Sequence, residues 1–465
     1  MFENREKSTN GTNYKQNSFV NYVKIFFDNQ YMEEIDENIE DNTWIMSLNE
    51  FEKELQICFF LVNEENLVEL FKHIIKILKC LMLPNVNIKR YSQMYQISQF
   101  GYIMNSKLTE PDFNFIAFYI IEIFIMFTEK DNDFCNYLLM HDFVNTMIYL
   151  RDISPMELQP LLYICMYNIC SIINHVKSDE LIQYVKGTLL QLKDEFNYFI
   201  PLVLINVLRN QQIFGNDVNK VFFSKIKKVL KTGSQEDIIN SMWCLYYWFK
   251  NSYILADGFI TKSFIRIISS FIYCDCEICI SIALYIYSIL WYLNNPLLIP
   301  FLNDYFDIET VIKLMISHSI NISSHAISLC NNYIATKMEN KISFKNHNGL
   351  AQIMYIIENS SFQAKVEAGF LLITYFSDLS YDEILLNLSF EIIESISSLI
   401  FCNDFQLQFS ILKFLIEMAT NYHKVVDYLN ECSFHETLED IMNQDNELSE
   451  LSNNLHSLIT LNSLH

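Results

Sequence analysis

The sequence predicts an all-α fold, a right-handed α-α superhelix of about nine to ten stacked repeats, and three observations carry that reading. From about residue 50 onward the apolar positions recur with the 3.6-residue period of helices rather than alternating. The same apolar register then returns every 38 to 45 residues. Gly and Pro are scarce, at 8 and 7 in 465 residues, where ordinary usage is roughly 7% and 5%. Few breakers suit long helices. They disfavour collagen-like, disordered and many-turned β chains, and doubly wound folds built on glycine-rich phosphate loops.

Along the chain, residues 1–45 stand apart. They are rich in Asn, Ser, Lys and Glu, with an acidic run from Glu33 to Asp41. Such a composition buries too little apolar surface to offset the entropy of ordering. Residues 1–45 therefore read as a polar, acidic, largely flexible segment, and 46–465 as the helical repeat domain. Within the first segment, Phe19 to Phe27 has the pattern of one amphipathic helix, either a cap over the first repeat or a docking segment. No apolar h-region opens the chain, so no secretory signal is expected. The twelve cysteines then read as free, mostly buried thiols of a reducing compartment. The expected location is cytoplasmic, with the nucleus as the alternative.

Beyond residue 50, helical segments are separated by short polar turns such as 129–133 and 233–237. The stretch 362–373, FQAKVEAGFLLI, shifted by 43 falls on 405–416, FQLQFSILKFLI. The same register gives a ladder of apolar anchors at Leu78, Ile121, Met166, Leu204, Leu245, Leu284, Leu329, Leu372, Leu415 and Leu458. A polar-then-apolar break recurs before the middle helix of the units, at His141-Asp142-Phe143, Asp257-Gly258-Phe259, Asp304-Tyr305-Phe306, Asn348-Gly349-Leu350 and Cys432-Ser433-Phe434. A tight turn between crossing helices wants a residue that tolerates positive φ, which Gly or Asn supplies at least cost.

Three-helix units of this length with this turn resemble armadillo repeats, with HEAT repeats as the nearest alternative. The resemblance covers most of residues 50–465. Residues 255–268, LADGFITKSFIRII, look like the family's passage from first to second helix, and 241–247, SMWCLYY, like its third helix. The family's best-known groove binders are the importin-α cargo receptors, whose third helices line a concave groove with a Trp and, one turn later, an Asn. What that implies here is fragmentary. Trp243 stands at a Trp position with Tyr247 where its Asn would be. Asn168, Asn206 and Asn331 stand at Asn positions, with Ile164, Leu202 and Ile327 in place of Trp. Phe370 and Thr374 form the closest softened pair, and Tyr119 joins the implied peptide-binding lining. The importin-β-binding segment of that family is basic, whereas residues 1–45 are mixed and then acidic.

Charge and chemistry narrow the function. With 55 Asp+Glu against 32 Lys+Arg the net charge is −23, which disfavours direct nucleic-acid binding and favours a basic protein or peptide partner. Lys225, Lys227, Lys228 and Lys231 read as a solvated helix face. Ile278 to Asn303 carries no charge and is long enough for a membrane span. Asn294, Asn295 and Pro296 divide it, so it reads as two short buried helices and no span. Cys274, Cys276 and Cys279 lack a neighbouring fourth ligand for zinc, and His318 and His325 have no acid at ligand spacing. No phosphate loop, Gly-x-Ser-x-Gly or His-Glu-x-x-His occurs. The expectation is a non-enzymatic scaffold or adaptor, without cofactor or metal, that binds a peptide segment in an armadillo groove. The alternative is a divergent importin-α-like nuclear import receptor for basic cargo signals.

Overall fold

Polar side chains standing just before the helices explain where several of them begin. Ser47 and Glu50 form a capping box for α1 (Leu48–Asn63): Ser47 Oγ accepts from the Glu50 N–H at 3.3 Å and the Ser47 N–H donates to the Glu50 carboxylate at 2.8 Å. Asn66 caps α2 (Leu67–Leu81) in the same sense. After α3 (Ile88–Ser92), α4 (Pro111–Lys130) opens on a proline, whose missing N–H is no loss in a first turn. The computed structural model describes residues 45–462 apart from 93–110, 173–186, 191–199, most of 202–215, 253–259 and several shorter breaks. The expected flexible segment 1–45, but for residue 45 itself, and the Phe19–Phe27 helix lie outside the described residues, as do Asn206 and Gly258.

The chain divides into two compact units, one within Met1–Ile103 and Pro111–Asp131 and the other within Met104–Glu110 and Asn132–His465. The first holds α1 to α4. Phe51 is its buried hub, with its ring 4.7 Å from Tyr91 and 6.4 Å from Phe127.

The second unit is a row of short helix triplets. It begins with α5 (Asn132–Met140), α6 (Phe143–Ile153) and α7 (Gln159–Ile172), followed by α8 (Asn216–Thr232), α9 (Gln235–Ser252), α10 (Lys262–Ser270) and α11 (Glu277–Tyr292). Three complete triplets come next: α12 (Ile299–Tyr305), α13 (Ile308–Leu314) and α14 (Ile320–Ile334); α15 (Met338–Asn346), α16 (Gly349–Asn359) and α17 (Phe362–Phe376); α18 (Tyr381–Asn387), α19 (Phe390–Ser398) and α20 (Phe405–Asn421). The last is α21 (His423–Glu431), α22 (Phe434–Met442) and α23 (Glu447–Asn462). The described residues include no strand. The third helices α11, α14, α17, α20 and α23 start 42 or 43 residues apart. The first helices of these last four triplets run seven to nine residues, the short separate first helix of an armadillo-type unit. The fold is an armadillo-like all-α solenoid.

Successive third helices run parallel and in register, and hydrogen bonds of repeat-length span mark that register. Cys244 on α9 donates to Pro201 O, and Asn251 on α9 donates to Leu208 O at 2.6 Å, each across 43 residues. Asn332 on α14 donates to Ser288 O on α11 across 44. Ile121 in the first unit and the anchors from Met166 to Leu415 in the second are all at most 1% exposed, and within the second unit burial of one stripe per repeat joins neighbours into a continuous core. The last anchor is a correction: Leu458 is only half-buried. The inward stripe of α23 passes through Leu448, Ser452, Leu455 and Ile459, and Leu458 lies one residue off it.

The turns before α6, α16 and α22 fall where the breaks predicted. In the turns before α16 and α22 the positive φ comes from Asn348 (63°) and Ser433 (51°), residues 141 and 142 lie outside the described residues, and no described glycine has a positive φ. Gly349 serves packing instead, since a Cβ there would lie 2.4 Å from the buried Phe344 ring. The uncharged run Ile278 to Asn303 forms most of α11 and the start of α12, broken by Asn294 at φ 46°. Among the described residues no single helix is long and apolar enough to cross a membrane.

Candidate peptide-binding face

Parallel third helices bring the side chains of successive repeats within reach of one another, so rings on each can form a strip. On α9, Trp243 is half-buried; its indole stacks on Tyr247 (5.9 Å, 26°) and meets the Tyr246 ring edge-on at 5.5 Å. Tyr246 passes the strip to Tyr285 on α11 at 4.7 Å, and Tyr285 passes it to His325 on α14 at 5.3 Å. Three consecutive repeats are thus joined by ring contacts on the third-helix side.

The electrostatics of this strip are those of neutral rings. Burial pushes the Tyr285 phenol up to about 12, and burial holds His325 below the usual imidazole range. His325 Nδ1 lies 2.9 Å from both Ser281 O and Ser281 Oγ. The carbonyl can only accept, which places the proton on Nδ1 when the ring is neutral. The Lys250 ammonium sits 5.9 Å from the Tyr246 ring centre, a cation–π distance. Neutral π faces of this kind receive aliphatic stems and cations.

The sequence-predicted lining is distributed unevenly. Trp243 is on the strip and Tyr247 backs it, only 8% exposed. Asn331 is half-buried and its Oδ1 is buried without a hydrogen-bond partner. Asn168 is enclosed, at 1% exposure, and so turns into the core. Tyr119 belongs to the first unit, on α4, where it is buried with its ring edge-on to Phe71 at 5.1 Å. Sequence reasoning missed Tyr246 and Tyr285, and it read His325 only as a core or surface residue. Tyr246 to Tyr285 is the same 39-residue step as the anchors Leu245 to Leu284, whereas Tyr285 to His325, at 40, falls five short of the 45 between Leu284 and Leu329.

Phe370 opens onto a second feature, a cleft of about 260 Å³ between α17, α20 and α23, lined also by Phe405, Gln406, Phe409, Ser410 and Glu447. The Phe405 and Phe409 rings stack at 6.2 Å. The Lys413 ammonium already covers Phe409 at 4.3 Å. One turn before Phe370, Glu367 accepts from Gln363 Nε2 at 3.2 Å, and burial raises its carboxyl above the usual range.

Among the described residues no group of three or more His, Cys, Asp or Glu is placed to hold a metal ion. Cys274 Sγ donates to Phe271 O at 3.1 Å, and burial raises the thiols of Cys274 and Cys279. The described cysteines are free and mostly buried. Of the basic stretch, Lys228 and Lys231 are exposed, Lys225 and Lys227 half-buried.

No family model and no curated protein sequence matches the chain. Among solved structures, the chain is similar to an engineered protein of the Northeast Structural Genomics Consortium at 12% identity. The match covers 88% of this chain and 99% of that one, with a TM-score of 0.68. A designed armadillo repeat protein matches 51% of this chain and 99% of its own at 12% identity, with a TM-score of 0.44. Computationally designed armadillo repeat proteins for modular peptide recognition match 52% and 99% at 13% identity and 0.45. At these identities the likeness speaks for the fold, and the chain with its repeat-length triplets has an armadillo-like helical-repeat fold.

Proposed function

We propose that this chain is a non-enzymatic protein-interaction scaffold or adaptor that takes a peptide segment along its third helices. The observation that carries the reading is the ring strip Trp243–Tyr246–Tyr285–His325, which crosses three consecutive repeats. An extended peptide needs a row of equivalent contacts at repeat spacing, and a solenoid face provides one. The net charge of −23 makes a basic segment the favoured ligand, mainly through faster encounter. A location in the cytoplasm, or in the nucleus, fits such an adaptor.

The test is site-specific photo-crosslinking from position 246 or 285 of the full chain in native lysate, with position 355 on α16 as comparison. Partner peptides attached at 246 and 285, and lost with Trp243→Ala while the circular dichroism spectrum is kept, support the reading. Crosslinks that form equally from 355 and survive Trp243→Ala sink it. A labelled Lys-rich nuclear-import peptide separates the import receptor from a general adaptor: no binding above a scrambled control rules import out.

A further inference from the structure

Because the third helices of the second unit are parallel and in register, their starting turns line up along one edge. Tyr273, Ile316 and Phe401 stand four residues before the first residues of α11, α14 and α20. Ile320, Phe362 and Phe405 are themselves the first residues of α14, α17 and α20. All six side chains are between 45% and 70% exposed. Single exposed apolar residues need no explanation. Three at each of two repeat positions, four residues apart at the start of the third helix, do, because neighbouring helix axes lie ~8–10 Å apart and the four turns then form one apolar ridge of about 30 Å.

The charges on this ridge have one sign. The turns 273–277, 316–320, 358–362 and 401–405 hold Asp275, Glu277, Glu358 and Asp404, and neither Lys nor Arg. Asp404 is partly satisfied by capping α20, where it accepts from the Leu407 N–H at 2.9 Å. Glu277 is settled by the first turn of α11. Glu358 sits in the last turn of α16, where the helix dipole disfavours a carboxylate. The nearest lysine along the chain, Lys365, is half-buried and donates to the Glu358 backbone carbonyl at 3.2 Å. At its C-terminal end the ridge meets the cleft beside Phe405, with Glu447 on its wall.

We propose that this ridge docks a basic segment of a partner protein. Its aliphatic or aromatic side chains cover Ile320, Phe362 and Phe405, and its Lys or Arg side chains face Asp275, Glu277 and Glu358. One long side chain enters the cleft, its stem against Phe405 and its charge toward Glu447. Charge selects this occupant. An anionic lipid surface would meet four carboxylates, and a second copy of the ridge would oppose them with four more. The ridge is a surface distinct from the ring strip and is built from helix ends rather than helix faces.

The test uses the full chain and a fluorescein-labelled synthetic peptide alternating Lys with Leu and Phe, read by anisotropy. Two counterparts carry Glu for every Lys, or Ser for every Leu and Phe. The basic apolar peptide is expected to bind at least about tenfold more tightly than either counterpart. The triple variant Ile320→Ser, Phe362→Ser, Phe405→Ser is expected to lose about tenfold in affinity. The variant Asp275→Asn, Glu277→Gln, Glu358→Gln is expected to weaken binding at low salt and flatten its salt dependence. Unchanged circular dichroism verifies that these exposed substitutions leave the fold intact. Equal binding by the ridge variants, or by the Glu peptide, overturns the proposal. Loss on Trp243→Ala instead would place the probe on the ring strip, overturning the ridge while leaving the reading of the strip intact. A wild-type dimer that the Ser variant converts to monomer in sedimentation would assign the ridge to a second copy and also overturn it.

Discussion

Asn332 and Ser288, 44 residues apart, hold two consecutive repeats together: one Nδ2 group donates to the Ser288 carbonyl at 3.0 Å and to its hydroxyl at 2.8 Å. Ser288 Oγ also lies 3.1 Å from Ser328 Oγ, so the junction is a small polar network between α11 and α14, two turns along from the His325–Ser281 contact. Ser288 is buried, and a buried hydroxyl that loses its partner costs more than the bond itself was worth. Asn332→Ala is therefore expected to destabilise by about 1–2 kcal/mol, read as a lower urea midpoint. Asn332→Asp should cost more, because it replaces the donor with a carboxylate facing the Ser288 carbonyl. A smaller loss for Asp than for Ala would show that the network does not hold the junction.

Asn348 and Gly349 are neighbours with opposite requirements. Asn348 has the left-handed backbone (φ 63°), a conformation that costs most side chains about 1–2 kcal/mol. Asn348→Ala should cost about that much, and Asn348→Gly little. Gly349 has an ordinary φ but no room: a Cβ would press on the Phe344 ring at 2.4 Å. Gly349→Ala should destabilise by about 1–3 kcal/mol, and Phe344→Leu in the same chain should recover part of it. Thermal melts of the single and double variants decide this, and additivity of the two would remove the steric account.

How much of this was legible beforehand follows from what each residue does. The buried ladder from Ile121 to Leu415 was visible because a stacked solenoid must repeat its apolar stripe. Phe362 and Phe405 were visible as markers of the repeat, and their exposure was not, since an apolar residue at a helix start reads as core. Asn168 and Asn331 hold the same rank in their units, yet Asn168 is enclosed and Asn331 half-buried. Sequence position fixes the helix and the turn, whereas a rotation of a few tens of degrees decides which way an amide points. The ring strip escaped for a related reason: Tyr285 and His325 pair diagonally, a turn off the anchor register, so no fixed shift lines up all its members.

Glu122 on α4 predicts an unusual dependence on pH. It is 4% exposed, and burial pushes its carboxyl up to about 8. In the unfolded chain the carboxyl has its ordinary value of 4.5. The folded state thus holds the proton more tightly between those values. Stability from this group is fully present below about pH 4.5 and is lost as pH rises toward 8. Glu122→Gln keeps the shape without the charge, so its stability relative to wild type should rise across that window by a few kcal/mol in order of magnitude, then level off. Urea denaturation at several pH values measures it, and a difference that stays flat would mean the carboxyl ionises freely in the folded chain.

His325 carries the opposite sign, which makes the two separable. Burial lowers its folded value below the ordinary 6.5, so the unfolded chain takes up the proton first as pH falls. The stability tied to the neutral ring is complete above about pH 6.5 and declines as pH drops toward the folded value. The neutral ring donates from Nδ1 to Ser281 O and packs on Tyr285. His325→Gln retains a donor and cannot titrate. Its stability relative to wild type should be lowest near pH 7.5 and improve on acidification, whereas that of Glu122→Gln improves on alkalinisation. The His325 difference should persist at high salt, because desolvation rather than a neighbouring charge sets it. If high salt abolished it, an ionic neighbour would replace burial as the cause.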